Sequence, residues 1–79
     1  MVKLRNITMH EDGTVSMDCH VIDRIKRPDF FLHFNPKTRE IYSDMTDIDY
    51  YYAGHAVLHI YFLVKDGIKL PKESTAAWV

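Results

Sequence analysis

The chain has few of the residues that stabilise or modify a small domain. Its 79 residues include a single cysteine, so an internal disulfide is excluded. Three glycines and three prolines are too few for a flexible linker or a low-complexity tract. The net charge of −1 lacks the excess of one sign that is typical of proteins binding nucleic acids or anionic membranes. These features predict one small globular domain over residues 1–79.

Neither secretion nor membrane insertion is expected from the sequence. Residues 1–8 lack the apolar centre of a signal peptide. The longest apolar stretch, 50–64, contains two histidines and is shorter than the roughly 20 residues that span a bilayer. Cys19 lies in a strand-like segment, where a buried and reduced thiol is the simplest interpretation. We therefore expect a cytoplasmic protein, because that compartment keeps thiols reduced.

The first half of the chain has the two-residue periodicity of β-strands. Residues 7–10 and 14–21 alternate between apolar and polar types and form two predicted strands, and residues 30–34 and 39–43 form two more. A three-residue loop at 11–13 places Met9 opposite Val15 and keeps the apolar residues of both strands on one face. This register leaves Leu4 on the outer face, unless a bulge near Arg5 or Asn6 reverses it.

The second half is predicted to contain one long helix, from about Ile48 to Asp66. Its nineteen residues contain no turn signal, and strands of that length are rare. Asp44, Thr46, Asp47 and Asp49 are typical helix-capping residues, and Gly67 is a typical helix stop. Residues 68–79 fit either a helical turn or an edge segment that packs Trp78 on the core. The predicted class is α+β: a four-stranded antiparallel meander sheet (β-β-β-β-α) with the helix on one face.

The predicted helix has apolar residues on two sides. A broad core stripe consists of Ala53, Ala56, Val57, Ile60, Leu63 and Val64. A second stripe contains Tyr51, Leu58 and Phe62, with His55 beside them. Because one sheet covers only one side of a helix, the second stripe predicts an interface with another copy of the chain or a small protein partner. The alternative is that the C-terminal tail folds over it.

Histidine is the one enriched polar type, with five copies. His55 and His59 are four residues apart on the predicted helix, a spacing that lets two imidazoles bind one metal ion. Metalloproteases with this spacing have a glutamate directly after the first histidine, whereas this chain has Ala56. A metal- or small-ligand-binding domain that uses His55 and His59 is therefore an alternative function, and a surface or interface role for both is the competing interpretation.

Other polar groups suggest weaker hypotheses. His20, His33, Phe31 and Tyr42 are predicted on the outer face of the sheet, together with Leu4 if no bulge forms. That face is either an ordinary sheet surface or a second contact surface or shallow ligand site. A nucleic-acid-associated regulator is a further alternative, in which the basic connection of Arg24, Lys26 and Arg27 contacts phosphates.

No pattern in the sequence indicates catalysis or a cofactor. Cys19 is predicted on the core face, where a thiol is unreactive, and the three glycines form no phosphate-binding loop. The leading hypothesis is therefore a non-enzymatic protein-interaction module. It would form a homodimer, or bind a small protein partner, through four residues of the helix: Tyr51, His55, Leu58 and Phe62.

Overall fold

The computed structural model describes residues 1–43 and 50–77, which form a five-stranded antiparallel sheet and one helix. In chain order the elements are β1 (Val2–Met9), β2 (Val15–Val21), β3 (Phe30–Phe34), β4 (Ile41–Ser43), α1 (Tyr50–Lys65) and β5 (Ser74–Ala76). The order across the sheet is β4-β3-β2-β1-β5. The α+β class and the four predicted strands are confirmed. The structure adds a fifth strand from the tail, which pairs with β1.

The β1–β2 hairpin has the predicted three-residue loop. Met9 pairs with Val15. The His10 amide donates to the Thr14 carbonyl at 2.8 Å, and the Gly13 amide donates to the His10 carbonyl at 2.9 Å. Gly13 has a φ of 85°, the left-handed conformation that this loop requires at its last position. The loop therefore sets the register that keeps the apolar residues on one face.

A bulge at Asn6 corrects the predicted position of Leu4. The register shifts between Arg5 and Thr8, and Asn6 has a φ of 53°. Leu4 consequently pairs with Cys19 and is fully buried, so its predicted outer-face position is wrong and the bulge alternative is confirmed. The Asn6 side chain donates to the Asp18 carboxylate at 2.7 Å. Asparagine suits this position because it adopts the left-handed conformation more readily than most residues.

We expect Asn6→Val to lower the free energy of unfolding by about 1–3 kcal/mol, because a β-branched residue is strained at a positive φ. Asn6→Gly serves as the control: it loses the contact with Asp18 but adopts the same φ without strain. Urea unfolding of the three proteins measures the difference. If the valine variant were as stable as the glycine variant, the bulge would not depend on the conformation of residue 6.

One core lies between the sheet and the helix. The strands contribute Val2, Leu4, Ile7, Val15, Met17, Cys19, Val21, Phe30, Leu32, Phe34 and Ala76. The helix contributes Tyr52, Ala53, Ala56, Val57 and Ile60, with Leu63 and Val64 partly buried against the same core. The predicted core stripe is thus confirmed, and Tyr52 is an addition to it. Ile41 packs on the core while Tyr42 is exposed, as their alternation predicts.

The helix ends as its glycine predicts. The Gly67 amide donates to the Val64 carbonyl at 3.1 Å, and the Ile68 amide donates to the Leu63 carbonyl at 3.0 Å. Gly67 has a φ of 70°, and together these contacts form a Schellman motif. The predicted capping residues Asp44, Thr46, Asp47 and Asp49 and the predicted start at Ile48 lie outside the described residues, as does Trp78. Within residues 1–43 and 50–77, no helix has the length and hydrophobicity to cross a membrane.

Candidate functional site

The side of α1 that points away from the sheet is apolar. Tyr51, Leu58 and Phe62 are 58%, 48% and 49% exposed, whereas Ile60 is fully buried. At about 100° per residue, Tyr51, His55, Leu58 and Phe62 fall within about 60° of one another and opposite Ile60. We call these four residues the outer stripe. The sheet packs on the opposite side of the helix, so the two predicted stripes are distinct surfaces.

Ring contacts hold the aromatic members of the outer stripe in place. Tyr51 packs edge-on against His55, with ring centroids 4.9 Å apart, and against Tyr52 at 5.2 Å. Phe62 packs against Tyr61 at 5.8 Å. Side chains that neighbours already order lose little rotamer freedom when a partner binds. The surface is therefore partly preorganised for contact.

A groove beside Gly54 extends this apolar surface. Its volume is about 190 Å³, and its lining includes Phe34, Val57, Leu58 and Tyr61. A Cβ atom built on Gly54 would meet nothing within 4 Å, so the packing of the described residues does not require a glycine here. A glycine inside a helix costs about 1 kcal/mol relative to alanine. The open position allows another backbone to approach α1 closely.

Arg39 forms the far wall of this groove. Its guanidinium lies 5.3 Å from the centre of the Tyr61 ring, and one of its nitrogens donates to the Tyr61 hydroxyl at 3.5 Å. A guanidinium stacked on an aromatic ring presents its positive charge at the rim of an apolar surface rather than within it. The outer stripe itself contains no lysine, arginine, aspartate or glutamate.

The connection between β2 and β3 is attached to the start of the helix by Tyr52. The Tyr52 hydroxyl donates to the Asp23 carboxylate, and Arg27 donates to the same carboxylate at 3.2 Å. The hydrogen bond from Tyr52 is the main cause that lowers the pKa of Asp23, with further contributions from the Arg24 amide and Arg27. The same bond raises the pKa of Tyr52.

The contacts of Arg27 bear on the nucleic-acid alternative, in which the basic connection contacts phosphates. Arg27 lies over the Tyr52 ring at 5.0 Å and forms an ion pair with Asp23. One member of the predicted basic cluster therefore makes contacts within the fold.

Sequence reasoning did not assign Tyr52 to the core. The available signal was its position one turn before Ala56, on the same side of the helix.

His55 and His59 lie one turn apart on the helix but have different partners. His55 contacts Tyr51, whereas the His59 Nε2 lies 2.7 Å from the Ser74 hydroxyl on β5. In the part of the chain that the structure describes, no group of three or more His, Cys, Asp and Glu side chains could hold a metal ion. The metal alternative stays a prediction, and nothing in the described geometry favours it.

The predicted pair of His20 and His33 is not formed. His20 Nδ1 lies 2.6 Å from Asp29 Oδ1, and His33 pairs with Ser16 in the sheet register. The His33 ring instead stacks on His10, with centroids 5.4 Å apart. Phe31, His33 and Tyr42 do share the outer sheet face, as predicted, and they line a shallow depression. Comparison of the chain with protein-family models, curated proteins and solved structures finds no match.

Proposed function

We propose that the chain is a non-enzymatic interaction module that self-associates through the outer stripe of α1. The observation that carries the proposal is the position of Leu58 and Phe62, which are half-exposed on the side of the helix opposite the core. Burying a large apolar side chain contributes about 1.5–3 kcal/mol, and a domain of this size has only a few kcal/mol of net stability. A contact that covers both residues therefore contributes substantially to the stability of the assembly.

A second copy of the chain fits this surface for two reasons. The outer stripe has spacings of four, three and four residues, from Tyr51 through His55 and Leu58 to Phe62, which is the seam spacing of paired helices. The absence of formal charge from the stripe lets two identical surfaces meet without like-charge repulsion or a buried unpaired ion. A two-fold pair uses the same patch on both copies, so one surface is sufficient.

The pairing is expected to be antiparallel. Antiparallel helices place the positive end of one helix dipole against the negative end of the other, which is electrostatically favourable. The two-fold axis then passes between His55 and Leu58, and Tyr51 of each copy faces Phe62 of the other. Gly54 lies beside the seam, where the open space at its Cβ position allows close approach.

The described part of the tail does not occupy the outer stripe. Ser74 pairs with Leu4 and Ala76 with Val2, so residues 74–76 follow the edge of the sheet at β1. Leu70 is partly buried against the core. These positions favour an intermolecular contact over coverage by residues 68–77. The proposal includes no cofactor, and a buried thiol at Cys19 is in keeping with a cytoplasmic location.

Leu58→Lys tests the proposal. We expect the dissociation constant of the dimer to rise about 100-fold, because each copy loses the burial of a leucine and must desolvate an ammonium group. Sedimentation velocity from low to high micromolar protein measures the change. Tyr42→Lys is the matched control, since it adds the same charge at an exposed residue on the sheet face opposite the helix. A wild-type protein that stays monomeric at high micromolar concentration would contradict the proposal.

A further inference from the structure

Aromatic rings form a row across the face of the sheet opposite the helix. The rings of His10 and His33 stack with centroids 5.4 Å apart and an interplanar angle of 8°. Tyr42 then packs edge-on against His33 at 6.4 Å. Beneath the row, His10 Nε2 lies 2.8 Å from the hydroxyl of Ser16, which is buried. Three strands, β2, β3 and β4, and the hairpin loop thus hold these rings in a defined arrangement.

Beside this row lies a shallow apolar depression of about 500 Å³. It is lined by Phe31, His33, Tyr42 and Ser43. Phe31 and His33 are two residues apart on β3 and therefore share a face, while Tyr42 approaches from the neighbouring edge strand. Phe31 and Tyr42 are 38% and 57% exposed, and both line the depression, so a ligand there can contact them.

Two carboxylates lie next to the rings of Tyr42 and Phe31. The Tyr42 hydroxyl donates to Glu40, and this hydrogen bond raises the pKa of Tyr42. A phenol that donates to a carboxylate has a more electron-rich ring, which strengthens its attraction for a cation. Asp18 pairs directly with Phe31 in the sheet register. The cationic Arg5 pairs with Asp18 from β1, on the side away from Phe31.

A third carboxylate lies at the hairpin end of the row. Hydrogen bonds from the Thr14 side chain and amide are the main causes that lower the pKa of Asp12, and nearby His10 and His33 lower it further. Asp12 is therefore ionised at neutral pH, on the same side as the stacked imidazoles. A phosphate backbone would be repelled by these three carboxylates, whereas a positively charged ligand would be attracted.

We propose that the depression binds the N-methylated ammonium group of a small molecule. Aromatic faces attract cations through their quadrupoles and cover the apolar methyl groups that a strongly hydrated ammonium lacks. Phe31 and Tyr42 supply the ring faces, and Asp18 and Glu40 supply the complementary charge. The site lies on the face of the sheet opposite the helix, so it is independent of self-association through the outer stripe.

Ligand titrations monitored by NMR of the aromatic protons test this assignment. Choline is the probe, and 3,3-dimethylbutan-1-ol is the uncharged control of the same shape. We expect choline to shift the Phe31 and Tyr42 ring signals with a millimolar dissociation constant, and the alcohol to bind at least about tenfold more weakly, since one cation–π contact contributes about that factor. A titration with a single-stranded oligonucleotide at low salt is expected to leave these signals unchanged.

Two variants distinguish the site from general surface binding. Tyr42→Leu removes one ring face and is expected to weaken choline binding at least about fivefold. Tyr50→Leu removes another highly exposed tyrosine that lies on the helix, and is expected to leave binding unchanged. The proposal is overturned by equal affinity for choline and the alcohol, by an absence of choline-induced shifts, by unchanged choline affinity in Tyr42→Leu as measured on the Phe31 ring signals, or by oligonucleotide binding at the same rings.

Discussion

Replacing Ile60 by alanine is expected to lower the free energy of unfolding by about 2–5 kcal/mol, whereas replacing Phe62 costs the monomer much less. Ile60 is fully buried between the helix and the sheet, so its truncation leaves a cavity in a core that has little net stability to lose. Phe62 is 49% exposed and packs mainly on Tyr61. Ile60 and Phe62, which flank Tyr61, therefore report on opposite sides of the same helix.

Urea unfolding followed by circular dichroism measures both variants. At low protein concentration we expect a clear loss of stability for Ile60→Ala and a small one for Phe62→Ala. At high concentration wild-type stability should rise through mass action, and Phe62→Ala should lose that increase. If Phe62→Ala instead destabilised the dilute protein as much as Ile60→Ala, the outer stripe would belong to the folded core of the monomer, and the case for self-association would fail.

Local periodicity was sufficient to predict most of the fold. The alternation in residues 14–21 identifies the buried face of β2, because successive strand residues point to opposite faces. The bulge near Asn6 could also be inferred, since only a shift in register brings Leu4 to the core. The helix was predictable from its length and from Gly67, although its propensity alone is ambiguous.

The fifth strand was predicted only as one of two alternatives, an edge segment within residues 68–79. β5 has only three residues, Ser74–Ala76, and its sequence of two hydroxyl residues and an alanine lacks an apolar alternation. It forms because the chain returns to the open edge of β1, where backbone groups need partners. Such a contact joins residues about seventy positions apart, so the local sequence does not predict it.

The two candidate surfaces differ in how much of each could be predicted from local sequence. The outer stripe follows from helical geometry within one element, so Tyr51, Leu58 and Phe62 could be placed together from the sequence. The pairing of histidines depends on the register between strands, and the structure joins His33 to His10 rather than to His20. The aromatic row combines residues from different parts of the sheet. His33 and Tyr42 were predicted on its outer face, but the stacking of His10 on His33 depends on the register between strands and was not predicted.

Cys19 is expected to give the fold a pronounced sensitivity to alkali. Burial raises the pKa of its thiol from 9.0 to about 12, with smaller contributions from Asp18 and Asp29. A group with a raised folded-state pKa contributes its full stability below the unfolded value of 9.0 and loses it as pH rises through the folded value. The three-unit difference corresponds to a loss of about 4 kcal/mol between pH 9 and pH 12.

Urea unfolding of wild type and Cys19→Ala between neutral pH and about pH 10.5 isolates this effect, because the loss of stability begins at the unfolded thiol pKa of 9.0. The tyrosines and lysines that also titrate there are common to both proteins, so the difference between them reports on the thiol. The alanine variant should be less stable at neutral pH, because it leaves a small cavity, and the gap should close above pH 9. Parallel curves for the two proteins would mean that the thiol ionises equally in the folded and unfolded chains. That result would mean that the Cys19 thiol is in contact with solvent in the folded chain.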